Sequence, residues 1–348
     1  MTLLTCTWAP TAFAGPKLVR GRPSGGAAPT GAALRQFVAG YVERLERLGI
    51  THLLIAQRWF GTAQEIEGST LDCLAMTAFI AAHTERIQLV TAIHPGFLTP
   101  ATIAKWGATI DNITAGRWAV NVTSGWHLRE FAMYGVDPLV HDERYARSRE
   151  FIDVLRGAWS QPTFDYAGRF YRVENLQLEP RPTAPLTVYQ GGQSDAAIAM
   201  AATHSDWMFL NGGSPEKIAA IVARVRSAAA QSGRHVRFAL YAQPLCAPTD
   251  AAAWAEIDAR LAAVDPELVA KRKISTSGAQ GMWATTDDPL AVLDTNEGFA
   301  ARLIGSPETV LARIRAFAAL GIELFHLDLR DPLFVAAVLP SLTGVPAT

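Results

Sequence analysis

The sequence predicts an α/β fold, a (β/α)8 TIM barrel with loops inserted at the C-terminal face of its strands. Three observations carry that expectation. Eight short apolar runs recur along the chain, longer amphipathic stretches lie between them, and 348 residues is a length that one such barrel fills as a single domain, residues 1–348.

The apolar runs occupy residues 3–8, 51–56, 87–93, 118–122, 186–190, 207–211, 236–242 and 324–329. Near-continuous apolar character fits parallel strands covered on both faces. Between them, residues 32–48, 69–83, 100–111 and 215–232 repeat apolar side chains three and four apart, which is the stripe of a helix packed on a sheet. Ser306-Pro307-Glu308 starts another helix, with a capping hydroxyl, a proline in the first turn and an acid at the positive end of the dipole. That helix, 307–320, ends at Gly321, a left-handed cap.

Two stretches break the repeat: residues 15–29, rich in Gly and Pro, and the region around 265–298, which carries Trp283. Loops of this length in a compact domain are either binding loops and lids or surface decoration, and the second is expected to be lid-like.

Composition narrows the function classes. Thirty-one basic and 32 acidic residues give a net charge of -1 with no long basic run, so nucleic acid is not expected as a partner. No stretch of about 18 uncharged apolar residues offers a membrane span. Cys6, Cys73 and Cys246 are odd in number and far apart, which points to a reducing cytoplasm and no disulfide. Ala12-Phe-Ala-Gly15 imitates a signal cleavage site, but no basic segment precedes it and Trp8 and Pro10 interrupt an apolar helix; residues 3–8 read as a first strand.

In a parallel barrel the reactive groups gather just after each strand. The fourth run leads into Asn121-Val-Thr-Ser-Gly-Trp126, where Asn121 either ties loops together or serves the chemistry. The fifth ends in Gly191-Gly192-Gln-Ser194-Asp195, whose glycines and following helix start suit a phosphate, although Gly-Ser also caps ordinary helices. His141-Asp-Glu-Arg144-Tyr145 is either a solvated helix start or a second group of phosphate donors. The second run ends in Gln57-Arg58-Trp59-Phe60, and the third in His94-Pro-Gly-Phe97, where His94 would move a proton, bind a cofactor or brace a loop. The chain has no G-x-G-x-x-G dinucleotide fingerprint, no Walker loop, no H-E-x-x-H and no paired-cysteine metal site, so no metal is expected.

Three blocks carry a resemblance: I-Q-L-V-T-A-I-H-P-G from 87, A-T-I-D-N-I-T-A-G-R-W-A-V-N-V-T-S-G-W from 108 and H-D-E-R-Y-A-R-S-R-E-F from 141. F-D-Y-A-G-R-F-Y, G-G-Q-S-D and I-G-S-P-E-T-V support them. The chain resembles the bacterial luciferase-like superfamily, in particular its two-component flavin monooxygenases of the dimethylsulfone, alkanesulfonate and pyrimidine-oxygenase kind. The resemblance implies an enzyme that uses reduced FMN and O2 to oxygenate a small molecule such as a sulfone, a sulfonate or a heterocyclic amide. A separate NAD(P)H-dependent flavin reductase would supply the FMN, and relatives pair as homodimers or homotetramers.

By the same resemblance, Gln57, Arg58, Asn121 and Glu130 would surround the flavin ring, and Arg144, Tyr145, Gly192 and Ser194 would hold its ribityl chain and phosphate. Asn121 and His94 are the catalytic candidates, with Trp8, Trp59, Phe97 and Trp126 as pocket walls. Departures accompany the match. Ala92 stands where the pyrimidine oxygenase has a threonine, with Thr91 facing the other way. Tyr241, Gln243 and Arg330 replace the Arg-x-His pair and the tyrosine of alkanesulfonate monooxygenases. Two other readings stay open: a deazaflavin-dependent dehydrogenase of the same superfamily, and a flavin-binding protein without turnover.

Overall fold

The computed structural model describes residues 2–21, 26–66, 68–280 and 288–346; Trp283 lies outside them. Eight parallel strands close the barrel: β1 (Leu4–Trp8), β2 (His52–Ile55), β3 (Gln88–Ile93), β4 (Trp118–Val122), β5 (Val188–Gly191), β6 (Trp207–Leu210), β7 (Arg237–Ala242) and β8 (Ile322–Leu327). Each pairs with its sequence neighbours, and β8 returns to β1. All eight fall within two residues of the apolar runs.

Helices cover the outside: α1 (Gly31–Arg47), α2 (Cys73–Ala81), α3 (Pro100–Thr114), α4 (Leu128–Met133), α5 (His141–Ser160), α6 (Asp195–His204), α7 (Pro215–Gln231), α8 (Asp250–Ala262), α9 (Pro266–Ser275) and α10 (Pro307–Ala319). Their starts follow the expected chemistry. Ser194, Ser214 and Ser306 each accept a hydrogen bond from the backbone N–H three residues on. Helix α2 begins four residues later than the periodicity suggests, because Asp72 caps it and Ser69–Thr70 pairs instead with Ala12–Phe13 as a short antiparallel ribbon.

Alternation of side chains along each strand sorts two cores. Cys6, Leu54, Val90, Ala119, Tyr189, Trp207, Ala239 and Leu324 fill the barrel, while the opposite parity packs against the helices. On β4 the outward Trp118 lies between Trp106 and Trp159, with ring centroids 5.7 and 5.5 Å away, and donates to Thr91 Oγ1 at 3.1 Å. Gly107 of α3 permits this approach, since a Cβ there would sit 2.4 Å from the Trp118 ring. Thr91 also bonds Thr77 Oγ1 at 2.9 Å, so it faces α2 and leaves Ala92 toward the barrel interior.

The two irregular stretches interlock. Val19 bridges Val264, Arg20 N donates to Ala263 O at 2.8 Å, and Asp265 N donates to Leu18 O at 2.8 Å. Region 265–298 contains α9, capped by Asp265, and a 3-10 turn at Pro289–Leu293. Val19, Ala253, Ile257, Leu290, Leu293 and Phe299 form a small apolar core of their own above β7. Among the described residues no helix is long and apolar enough to cross a membrane.

Candidate active site

The last inward position of most strands forms the floor of a pocket at their carboxyl ends. Trp8, Ala92, Asn121, Gly191, Phe209, Tyr241 and His326 come from β1, β3, β4, β5, β6, β7 and β8. The loops add Gln57, Arg58, His94, Trp126 and Gly192, the start of α5 adds Arg144 and Tyr145, and the insertion adds Gly278, Ala279, Gln280 and Asn296. Atom-free space here amounts to about 1100 Å³, the solvent at its mouth included. That suits a cofactor-sized molecule with a small one beside it.

Several buried polar atoms facing this space have no protein partner. Gln57 Oε1 accepts from His94 N at 2.8 Å, which leaves Gln57 Nε2 unsatisfied. Asn121 Nδ2 makes one long bond to Thr123 Oγ1, 3.4 Å, and Asn121 Oδ1 makes none. His326 Nε2 is likewise unsatisfied. Such groups are costly to bury unless something completes them. A flat ring with donors and acceptors on its edge, as in a flavin, fits the Gln57 and Asn121 pair. At Gly191 a Cβ would meet nothing within 4 Å, so the backbone there is open to a ligand. Gly192 needs its glycine: φ is +125°, and a Cβ would lie 2.7 Å from Tyr145 Oη.

The remaining candidates take other positions. Glu130 is fully buried behind the wall, where Oε1 accepts from Trp59 N at 2.6 Å and Oε2 lies 3.3 Å from His94 Nδ1. Burial alone would raise the Glu130 carboxyl; the His94 bond and charge, the Trp59 N–H and the His127 charge outweigh it and hold the group below its ordinary value. Only a protonated Nδ1 satisfies an ionised carboxylate, so Nε2 of a neutral His94 is left as an acceptor. Glu130 therefore reaches the pocket through His94.

Trp59 and Phe97 do not border the pocket. Trp59 Nε1 donates to Asp72 Oδ2 at 3.1 Å, and its ring packs on Phe97 and Tyr134, both 5.3 Å away. Phe97 in turn leans on Phe131 at 4.7 Å, so these rings brace the loops after β2 and β3.

Ser194 also stands back from the pocket, its Oγ accepting from Ala197 N at 3.2 Å. Burial raises the Tyr145 phenol, an effect that a hydrogen bond with Ser194 and the charge of Arg144 oppose. Arg144 is not a solvated helix residue. It is buried, and donates to Gly125 O at 3.1 Å, Leu139 O at 2.8 Å and Gly278 O at 2.7 Å. Three of its five N–H donors thus tie the post-β4 loop and the insertion together, leaving two for a ligand.

The search after each strand missed His326, Phe209 and Asn211, which lie within or directly on the last turn of the inward parity. A signal existed: His326 stands two residues after inward Leu324, a polar ring in an apolar run. Among the described residues no group of three His, Cys, Asp or Glu could hold a metal ion.

Asp can cap a helix as well as Ser, so Ser194→Asp should leave the melting temperature nearly unchanged. A carboxylate at this end of the pocket should nonetheless weaken reduced-FMN binding about 5- to 150-fold by repelling the phosphate. Anaerobic calorimetry measures it; an unchanged dissociation constant places the phosphate elsewhere.

The model of the family described as luciferase-like monooxygenase matches residues 18–324. An FMNH2-dependent dimethylsulfone monooxygenase of Pseudomonas fluorescens (strain Pf0-1) is 41% identical over 263 residues, 73% of this chain and 71% of that protein. A pyrimidine monooxygenase of Escherichia coli O6:K15:H31 (strain 536 / UPEC) is 30% identical over 315 residues, 83% of this chain and 86% of its own. The crystal structure of an EDTA monooxygenase from Chelativorans sp. BNC1 shares the fold, with a TM-score of 0.77 at 21% identity over 100% of this chain and 95% of that one. The chain belongs to the luciferase-like monooxygenase family.

Proposed function

We propose that this enzyme oxygenates a small organic molecule, a sulfone or a heterocyclic amide before a sulfonate, with reduced FMN delivered by a separate NAD(P)H-dependent flavin reductase. Its class, a monooxygenase that uses reduced FMN and O2, follows from the family and from the FMNH2-dependent relatives. The observation that carries the site assignment is the pair of unsatisfied amides, Gln57 Nε2 and Asn121 Oδ1, set on either side of His94 at the barrel mouth.

Reduced FMN, when bound, supplies the electrons that activate oxygen. The chain's own residues do the rest. Gln57 and Asn121 orient the ring edge, and Arg58 sets a positive charge beside it. Gly191 and Gly192 bring backbone close, with Tyr145, Arg144 and Ser194 at the phosphate end. His94 holds or accepts a proton at Nε2, and Asn121 holds oxygen in place. Trp8 and Trp126, together with the 265–298 insertion acting as a lid, exclude water. The relatives' substrates, named as dimethylsulfone and pyrimidines, are both uncharged small molecules. Tyr241 and Gln243, where alkanesulfonate monooxygenases carry Arg-x-His, remove the cation that a sulfonate would need. We place the enzyme in the cytoplasm, as a homodimer or homotetramer.

The test is mass spectrometry of dimethylsulfone, uracil and alkanesulfonate incubated with labelled O2, the protein and FMN reduced by an added reductase. One labelled oxygen should enter an uncharged substrate. Reduced FMN should also bind much more tightly than NADH, because no dinucleotide fingerprint is present. Turnover with NADH and no reductase would overturn the two-component assignment.

A further inference from the structure

We infer that His326 is the hydrogen-bonding anchor for the substrate, and that it selects uncharged polar molecules over anions of the same shape. This rests on the monooxygenase assignment of the same pocket and goes beyond it by naming the residue that sets specificity.

His326 ends the inward parity of β8, paired in register with Cys6 of β1 and Tyr241 of β7. Three rings surround its imidazole: Trp8 at 4.5 Å between centroids, Tyr241 at 5.2 Å and Phe209 at 6.1 Å. The side chain is 1% exposed, borders the pocket, and its Nε2 has no partner. The three rings carry no charge, and the charge that acts on the imidazole is that of Asp328, itself bonded to Arg330. Tyr241 is itself engaged, its hydroxyl accepting from Gln243 Nε2 at 2.6 Å, and Gln243 N donates to Gly298 O at 3.2 Å, so this wall is fixed by the insertion. Burial pushes the His326 imidazole down to about 3, against a smaller opposing pull from Asp328. The ring therefore stays neutral throughout the working range and offers a hydrogen bond without a charge.

This neutrality decides the ligand class. A neutral imidazole in an aromatic cage satisfies a sulfone oxygen, a carbonyl or an amide N–H, each of which also completes Nε2. An anion here would lose its hydration and gain no countercharge from the cage. Two cations border the pocket, Arg144 on α5, held by three carbonyls, and Arg58 in the loop after β2, whose charge reaches Tyr241; neither belongs to the ring cage around His326.

FMN-loaded protein, selectively labelled at histidine nitrogens, is titrated without oxygen with dimethylsulfone, uracil and methanesulfonate while the His326 ring is followed by NMR. His326→Phe, which keeps the ring and removes both nitrogens, and His326→Gln, which restores an amide, are compared with the parent in oxygen-coupled turnover. The expected results are a His326 nitrogen shift with an uncharged probe, a KM for that probe raised about 10- to 100-fold in His326→Phe, and partial recovery in His326→Gln. Reduced-FMN binding should not change. The inference is overturned if uncharged probes bind without moving His326, if only methanesulfonate binds, if no probe binds, or if His326→Phe keeps the parent's KM. Failure of the parent to incorporate labelled oxygen would instead strike the monooxygenase assignment, since the NMR arm needs no turnover.

Discussion

Asn121→Ala should lower product formation about 100- to 1000-fold while reduced FMN still binds, and hydrogen peroxide release should rise. The side chain ends β4 on the pocket floor, with Oδ1 buried and unpartnered. A lost hydrogen bond to charge that develops during reaction is typically worth about 2.7 to 4 kcal/mol. The competing account, in which Asn121 braces the loop beginning at Val122, has only the 3.4 Å contact to Thr123 behind it. A contact that long contributes little, and removing an already unsatisfied acceptor costs the fold nothing there. Stopped-flow spectra and thermal melts separate the two: a melt far below the parent, or full coupling of oxygen to product, would return Asn121 to a structural role.

For Glu130→Gln the expected outcome is a loss of about 100-fold in coupled turnover with little change in KM. The substituted amide must present its oxygen to Trp59 N–H, where the present bond is 2.6 Å, so its NH2 faces His94 Nδ1. That reverses the tautomer and turns Nε2 from an acceptor into a donor, a change that removes most of the benefit of positioned proton transfer. The pH–rate profile is the readout, since a merely structural carboxylate would leave its shape unchanged. An unaltered profile would show that His94 moves no proton.

Stability should shift in the same variant with a defined sign. Because folding depresses the Glu130 pKa, its contribution is present above the unfolded value of about 4.3 and lost as pH falls through the folded one. Acid melts of Glu130→Gln should accordingly flatten below about pH 4.3 relative to the parent.

Most of the barrel is legible in the sequence because burial on both faces writes each strand as an apolar run. Boundaries slip where a local bond competes, as at Asp72, whose cap on Ala75 N delays α2. The antiparallel hairpin of Phe164–Ala167 and Arg172–Leu176 leaves no such trace, since both strands are half-exposed and outside the barrel. At the site, glycine chemistry and the polar interruption at Asn121 point to residues that the fold does bring together. Trp59 and Phe97 mislead because a large ring near a strand end looks the same whether it faces the ligand or the next loop. Arg144 reads two ways in the sequence, as an exposed helix start or as a phosphate donor, and only the folded chain buries it beside the pocket with three carbonyls around it. The meeting of residues 18–20 with 263–265 is invisible locally, being a contact between segments almost 250 residues apart.

The pocket floor draws at most one side chain from each strand, and the backbone pairing that closes the barrel involves none of those side chains. A change at Ala92, Phe209, Tyr241 or His326 can therefore alter what the pocket accepts without disturbing strand register, whereas a change at Gly192 strains the chain itself. Such a layout divides the positions available to natural variation into two groups. One can drift with the compound that is oxygenated, and the other must stay fixed for the chain to keep its path beside the pocket.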